Sequence, residues 1–155
     1  DTDPEVTRKM VVAPDGTKKA DWLVNISNDG WYVRYKDGKI LPSTELSQRT
    51  AITVFRAIEN RVSVIRSVNT GISCLVDSTG RIRDGYTAGN LPRQAMQRQG
   101  MEGWFVDTID IDDRVTFFSR HGLWLDKALR FAVVLVLLLM GCQRIKKVAL
   151  ERRDK

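Results

Sequence analysis

The sequence predicts an α/β domain over residues 1–122, a single carboxy-terminal transmembrane helix over 123–142 and a basic tail over 143–155. Three observations predict this. Residues 22–26, Trp-Leu-Val-Asn-Ile, are a short apolar run of strand formers; it ends in the turn residues Ser27-Asn28-Asp29-Gly30 and then presents Trp31. After a helical stretch, Val62, Val64, Arg66 and Val68 alternate with Ser63, Ser67 and Asn69, which is a strand pattern. The twenty residues of 123–142 are mostly apolar, and as a helix would extend about 30 Å, the thickness of a bilayer's hydrocarbon.

The elements follow in order. Asp3-Pro4-Glu5 starts a helix, with Asp as N-cap, Pro in the first turn and Glu at the positive end of the dipole; Pro14-Asp15-Gly16 stops it after about Val12. The 22–26 strand is expected to be buried. Residues 32–42 interleave bulky and basic side chains around Asp37-Gly38 and read as an exposed loop beside a site. Ser43 and Thr44 are candidate N-caps of a helix running to about Asn60, with Ala51, Ile52, Phe55, Ile58 and Val62 as its apolar stripe. Arg66 shares a strand face with three valines, where a charge is costly unless paired, and Glu59 beside the helical stripe is its expected partner. Residues 72–77 read as a further strand, 78–80 as a turn into Arg81-Ile82-Arg83, 85–103 as a long polar loop, and 104–111 as an edge strand.

Composition excludes several classes of function. Of the net charge of +6, the segment 143–155 contributes most, with six basic and two acidic residues. The part before residue 126 is therefore nearly neutral and lacks the basic face that a nucleic-acid binder needs. Cys74, Cys142 and the lone His121 give neither a disulfide framework nor metal-ligand spacing, so no metal and no cofactor are expected. Cys74 sits mid-strand without a nearby His or helix start, which favours a buried small hydrophobe over a nucleophile. The chain begins at Asp1 without Met or leader, and is expected to be a fragment. Asp126, Lys127 and Arg130 fall in the first turns of the membrane helix, where long basic side chains can snorkel to the interface, and Trp124 suits an interfacial belt. The tail from Arg144 favours the cytoplasmic side and places the globular part across the membrane.

Four blocks occur in sequence order: Asn25-Ile-Ser-Asn-Asp-Gly-Trp31, Arg56-Ala-Ile-Glu59, Arg66-Ser-Val-Asn-Thr-Gly71 and Asp77-Ser-Thr-Gly-Arg-Ile82. Together they resemble the nitrilase superfamily and, within it, the apolipoprotein N-acyltransferase branch. Arg114-Val-Thr-Phe-Phe-Ser-Arg-His-Gly-Leu-Trp124 resembles that branch's approach to its last membrane helix. The resemblance implies an α-β-β-α sandwich on the periplasmic side of a bacterial inner membrane, with a Glu-Lys-Cys triad. It implies acyl transfer from a phospholipid, through a Cys thioester, to the α-amino group of a lipid-modified apolipoprotein Cys.

None of the triad matches a residue of this chain; all three members are expected upstream of Asp1, so the missing amino-terminal part of the same enzyme is an implied partner. The sequence departs from the family at Gln48-Arg49, where Gln-His is usual, and at the Asp37-Gly38 loop, in place of the Phe-Gly that follows the Trp. On this reading Asn28, Asp29, Trp31, Asn69 and Gly71 form a wall of the substrate pocket, with Asn28 and Asp29 fixing the loop and Trp31 giving an apolar face. Glu59 and Arg66 support it, while Tyr32, Tyr35, Ile40 and Leu41 face the membrane. Two other readings remain open: a membrane-anchored amidase of the same superfamily, and a non-catalytic anchored binding domain.

Overall fold

The computed structural model describes residues 3–153, with side chains described up to 144. It divides into two compact units, Asp1–Gly122 and Leu123–Lys155. In the first unit, α1 (Pro4–Val11) begins as the sequence predicts: the Asp3 carboxylate accepts hydrogen bonds from the backbone N–H groups of Glu5 and Val6, and Pro4 occupies the first turn.

A four-stranded mixed sheet follows, in the order β1 (Trp22–Ser27), β4 (Ser63–Val68), β5 (Cys74–Val76), β6 (Ile82–Arg83). β1 and β4 are parallel, joined through α2 (Thr44–Asn60), while β5 and β6 run antiparallel. Register puts Leu23, Asn25, Val64, Arg66, Cys74, Val76 and Ile82 on one face. That face carries the core, in which Val11, Val12, Ala57, Val62, Val64, Ile72, Cys74, Val76 and Ala95 are buried.

β1 is half-buried, and not enclosed on both faces as its apolar run suggests. Trp22, Val24 and Ile26 point to the opposite face, and Ile26 is 81% exposed. Farther along that face, Leu91, Trp104 and Phe105 overlie Ile65 and Leu75 around a cavity of about 420 Å³.

Of the stripe expected on α2, Val62 just past the helix end joins the core, but the helical part faces away from it. Leu46, Thr50, Thr53, Ala57 and Asn60 are buried, whereas Phe55 is 58% exposed and Ile58 39%. The buried side is partly polar because its hydroxyls are satisfied within the helix: Thr50 and Thr53 donate to the carbonyls of Leu46 and Arg49, four residues earlier. Binary pattern alone therefore selects the other side.

Residues 32–42 are not a plain loop but a hairpin, β2 (Arg34–Lys36) and β3 (Lys39–Leu41). Asp37 and Gly38, at φ 51° and 71°, supply the left-handed pair that a two-residue hairpin turn requires. Within the stretch read as an irregular loop, β7 (Ala88–Gly89) pairs with β8 (Phe105–Val106) in a separate ladder. The strand expected over 104–111 is reduced to β8. A short helix, α3 (Phe117–His121), is capped by the Thr116 hydroxyl and ties to the end of α2 through Ser119 and Asn60.

The second unit is α4 (Trp124–Arg153). The transmembrane helix expected over 123–142 is overturned: among the described residues, no helix is long and apolar enough to cross a membrane. Charge spacing is the reason. Asp126, Lys127 and Arg130 occupy its first turns, with Asp126 and Arg130 paired at 2.9 Å. They leave an apolar run over 131–142 that extends about 18 Å as a helix, against about 30 Å of hydrocarbon. The orientation inferred from that span loses its basis. The basic tail of 143–155 lies, from residue 145 on, outside the residues whose side chains are described.

Candidate functional site

The turn after β1 is built around one buried carboxylate. Residues Asp29–Tyr32 form a single 3-10 turn, with Asn28 as its cap accepting from the Gly30 N–H at 3.0 Å. Asn69, in the bend after β4, braces the turn from the neighbouring strand: its Oδ1 accepts from the Asp29 N–H at 2.9 Å, and its Nδ2 donates to Asn28 Oδ1 at 2.7 Å. The two breaks singled out in the sequence, 27–30 and 69–71, thus meet because β1 and β4 are parallel neighbours whose ends coincide.

The Asp29 side chain is fully buried. Its Oδ2 accepts from Arg66 Nη2 at 2.5 Å; its Oδ1 accepts from the Ser27 hydroxyl at 2.8 Å and lies 3.2 Å from Arg49 Nε. Arg66, also fully buried, donates to Asn25 Oδ1 at 2.6 Å and reaches Thr53 Oγ1 at 3.4 Å. Burying both charges is tolerable because each meets a counter-charge and further hydrogen bonds. The partner expected for Arg66 is corrected here. Glu59 bonds instead to Arg56, at 3.1 Å on its own helix, and burial raises the Glu59 pKa against the lowering pull of that guanidinium. Asp29 was expected in the wall as a residue that fixes the loop; its pairing with Arg66 was not, because only the parallel pairing of β1 with β4 puts the two side chains together.

Above this buried pair the turn is open to solvent. Trp31 is 83% exposed and Tyr32 37%. Together with Val33, Arg34, Leu41, Pro42 and Ser43 they line an open cavity of about 510 Å³. Tyr35 and Leu41 are exposed on the hairpin, while Ile40 packs against Gly100. Gly100 in turn donates its N–H to the Thr70 carbonyl at 2.9 Å, so the segment after β7 is docked beside the turn.

That segment holds a second residue the sequence did not signal. Arg98 is 2% exposed and donates to the carbonyls of Ser73, Gly85, Pro92 and Arg93. Its guanidinium also lies 4.8 Å from the centre of the Phe105 ring and 5.6 Å from that of Tyr86. A cation solvated by carbonyls and ring faces needs no acidic neighbour, and so leaves no charge pattern to read.

Other chemistry is limited. Cys74 is fully buried, and burial pushes its thiol up to about 11. Cys142 is an exposed free thiol. His121 stacks on Phe117. Among the described residues, no group of three or more His, Cys, Asp or Glu could hold a metal ion.

An apolipoprotein N-acyltransferase of Geobacter metallireducens is 44% identical over 119 residues, covering 77% of this chain and 18% of its own. The chain falls within the apolipoprotein N-acyltransferase family. An apolipoprotein N-acyltransferase 2 of Leptospira interrogans is 30% identical over 120 residues, 77% of this chain and 17% of its own. One from Thermotoga maritima is 34% identical over 121 residues, 78% of this chain and 19% of its own. The chain thus spans less than a fifth of the length of these curated N-acyltransferases. No family model matches it.

Proposed function

We propose that this chain is part of a lipoprotein N-acyltransferase and supplies one wall of its site. In this reading a thiolate attacks an ester carbonyl of a phospholipid. The C–O bond breaks, a lysophospholipid leaves after taking a proton, and an acyl thioester remains. The α-amino group of a lipid-modified N-terminal Cys on an apolipoprotein then attacks that thioester. The C–N bond forms, the nitrogen gives up a proton to the base that protonated the lysophospholipid, the C–S bond breaks and the thiolate is restored, so that one difficult transfer becomes two easier ones. The nucleophile, base and lysine are assigned to the part of the enzyme that this chain does not span.

The observation that carries the reading is the 44% identity to the Geobacter metallireducens enzyme over 77% of this chain. The geometry fits it: a turn fixed from below by Asp29 and Asn69 presents Trp31 as an apolar face, and the adjoining hairpin offers Tyr35 and Leu41 to a lipid surface with Arg34, Lys36 and Lys39 for its head groups. The working location proposed is the extracytoplasmic face of a bacterial cell membrane.

The experiment uses the full-length protein with phospholipid vesicles and a peptide bearing an N-terminal diacylglyceryl-Cys. Mass spectrometry should find a third acyl chain on the peptide. Release of free fatty acid with the peptide unchanged would instead make water the acceptor and the protein a hydrolase. Neither product would leave a binding role. Asp substitutions at the exposed Tyr35 and Leu41 should weaken use of vesicle phospholipid more than use of a soluble thioester donor, and equal losses would remove the hairpin from lipid contact; Ile40, read from the sequence as membrane-facing, packs inward on Gly100.

A further inference from the structure

Arg49, on α2, clasps both ends of the turn that carries Trp31. At the first residue of the turn its Nε lies 3.2 Å from Asp29 Oδ1. At the last, its Nη1 donates to the Tyr32 hydroxyl at 3.2 Å, and the guanidinium carbon lies 4.9 Å from the centre of the Tyr32 ring. The other carboxylate oxygen of Asp29 is held from beneath by Arg66 of β4. One buried carboxylate is therefore shared by two arginines from different elements, and Arg49 carries the connection outward to an exposed aromatic ring. A planar guanidinium can pair, donate and stack at once, which an ammonium point charge cannot.

We propose that Arg49 is a positioning residue for the acyl donor: by joining Asp29 to Tyr32 it sets the orientation of Trp31 and of the wall of the 510 Å³ cavity beside it. This rests on the acyltransferase reading above. Because Arg49 acts on the wall and not on the reacting atoms, its loss weakens donor binding and leaves the chemical step in place.

The test uses the full-length enzyme in detergent micelles. Arg49→Lys keeps a positive charge near Asp29 but gives up the stack on Tyr32; Arg49→Met removes both. Both variants should raise KM for the phospholipid donor by about ten-fold, the worth of one charge-assisted contact, with kcat within about two-fold. Tyr32→Phe should give part of the rise and add little on top of Arg49→Met. Hydrogen–deuterium exchange supplies a readout that does not depend on activity: the Gly30 and Trp31 amides should exchange faster in Arg49→Lys, with those of β4 and β5 unchanged. An Arg49→Lys enzyme with wild-type KM and wild-type exchange would show that charge alone suffices and overturn the proposal. Exchange that rises equally across β4 and β5 would overturn it in favour of a general structural role. Absence of acyl transfer by the unsubstituted enzyme would count against the functional reading, and the exchange data would still decide whether Arg49 orders the turn.

Discussion

Gly71 passes so close to Asp29 that a Cβ built on the glycine would overlap the carboxylate oxygen Oδ2, the same oxygen that accepts from Arg66. The bare backbone at Gly71 is thus a condition for the buried ion pair, beyond the wall role read from its place in the sequence. Gly71→Ala should destabilise the fold by about 1–3 kcal/mol, the usual cost of forcing a methyl into a filled space. Thermal unfolding would measure this. In an Asp29→Ala background the same substitution should cost much less, since the atom it displaces is gone.

Asp29 and Arg66 should be strongly coupled, and Glu59 and Arg66 should not. Asp29→Asn leaves a fully buried guanidinium facing a neutral amide and should cost about 3–5 kcal/mol, the range for breaking one side of a buried pair. Replacing Asp29 and Arg66 together by apolar residues of similar volume should cost less than the two single changes added. A double-mutant cycle in urea, run for Asp29/Arg66 and for Glu59/Arg66, compares the two directly. Near-additivity for the first pair would show that the 2.5 Å contact contributes little.

The sequence was legible where a local rule and the tertiary environment agree. Asp3-Pro4-Glu5 caps α1, and Val64, Arg66 and Val68 alternate within β4. It was illegible where the environment decides. The buried side of α2 is lined by threonines that bond within their own helix, so the apolar count pointed to Phe55 and Ile58 on the other side. The partner of Arg66 was sought seven residues away on the preceding helix, while the real one sits 37 residues away at the end of a parallel strand. Apolar length misled at the carboxy terminus, where Asp126, Lys127 and Arg130 belong to the helix and shorten its uncharged run.

Arg98 should hold residues 85–106 together. Its four carbonyl acceptors come from β5's approach at Ser73 and from Gly85, Pro92 and Arg93, so one side chain joins places that share little regular structure. Arg98→Met keeps most of the volume but takes a donor from the carbonyls of Ser73, Gly85 and Pro92, while that of Arg93 still accepts from the Gly85 N–H; the cost is about 1–3 kcal/mol for each one that water does not reach. Limited proteolysis should then cut within 85–106 well before it cuts β4 or α2. Equal resistance to cleavage in the variant would show that the β7–β8 ladder holds this segment without the arginine.

Cys74 should form no acyl thioester in the 155-residue chain by itself. A thioester needs a thiolate, a base within hydrogen-bond reach and donors aimed at the oxyanion. Cys74 is fully buried at mid-strand, and its thiol is pushed up to about 11 from an ordinary 9.0 because burial outweighs the pull of Arg66 and Arg98. A thiol whose folded pKa is raised supports the fold below its ordinary value, and that support is lost as pH rises from 9.0 towards about 11. Cys74 should therefore stay unalkylated by iodoacetamide at pH 8 and react only as the fold opens in alkali. Cys142 is exposed on α4 and should alkylate readily, so any uncatalysed acylation by an activated donor should fall there and not on Cys74. Incubation with an activated acyl donor, followed by mass spectrometry with and without hydroxylamine, tests this directly. A hydroxylamine-sensitive acyl adduct on Cys74 would mean that a strand residue with a suppressed thiolate can still be the nucleophile. The triad would then have to be sought inside this chain.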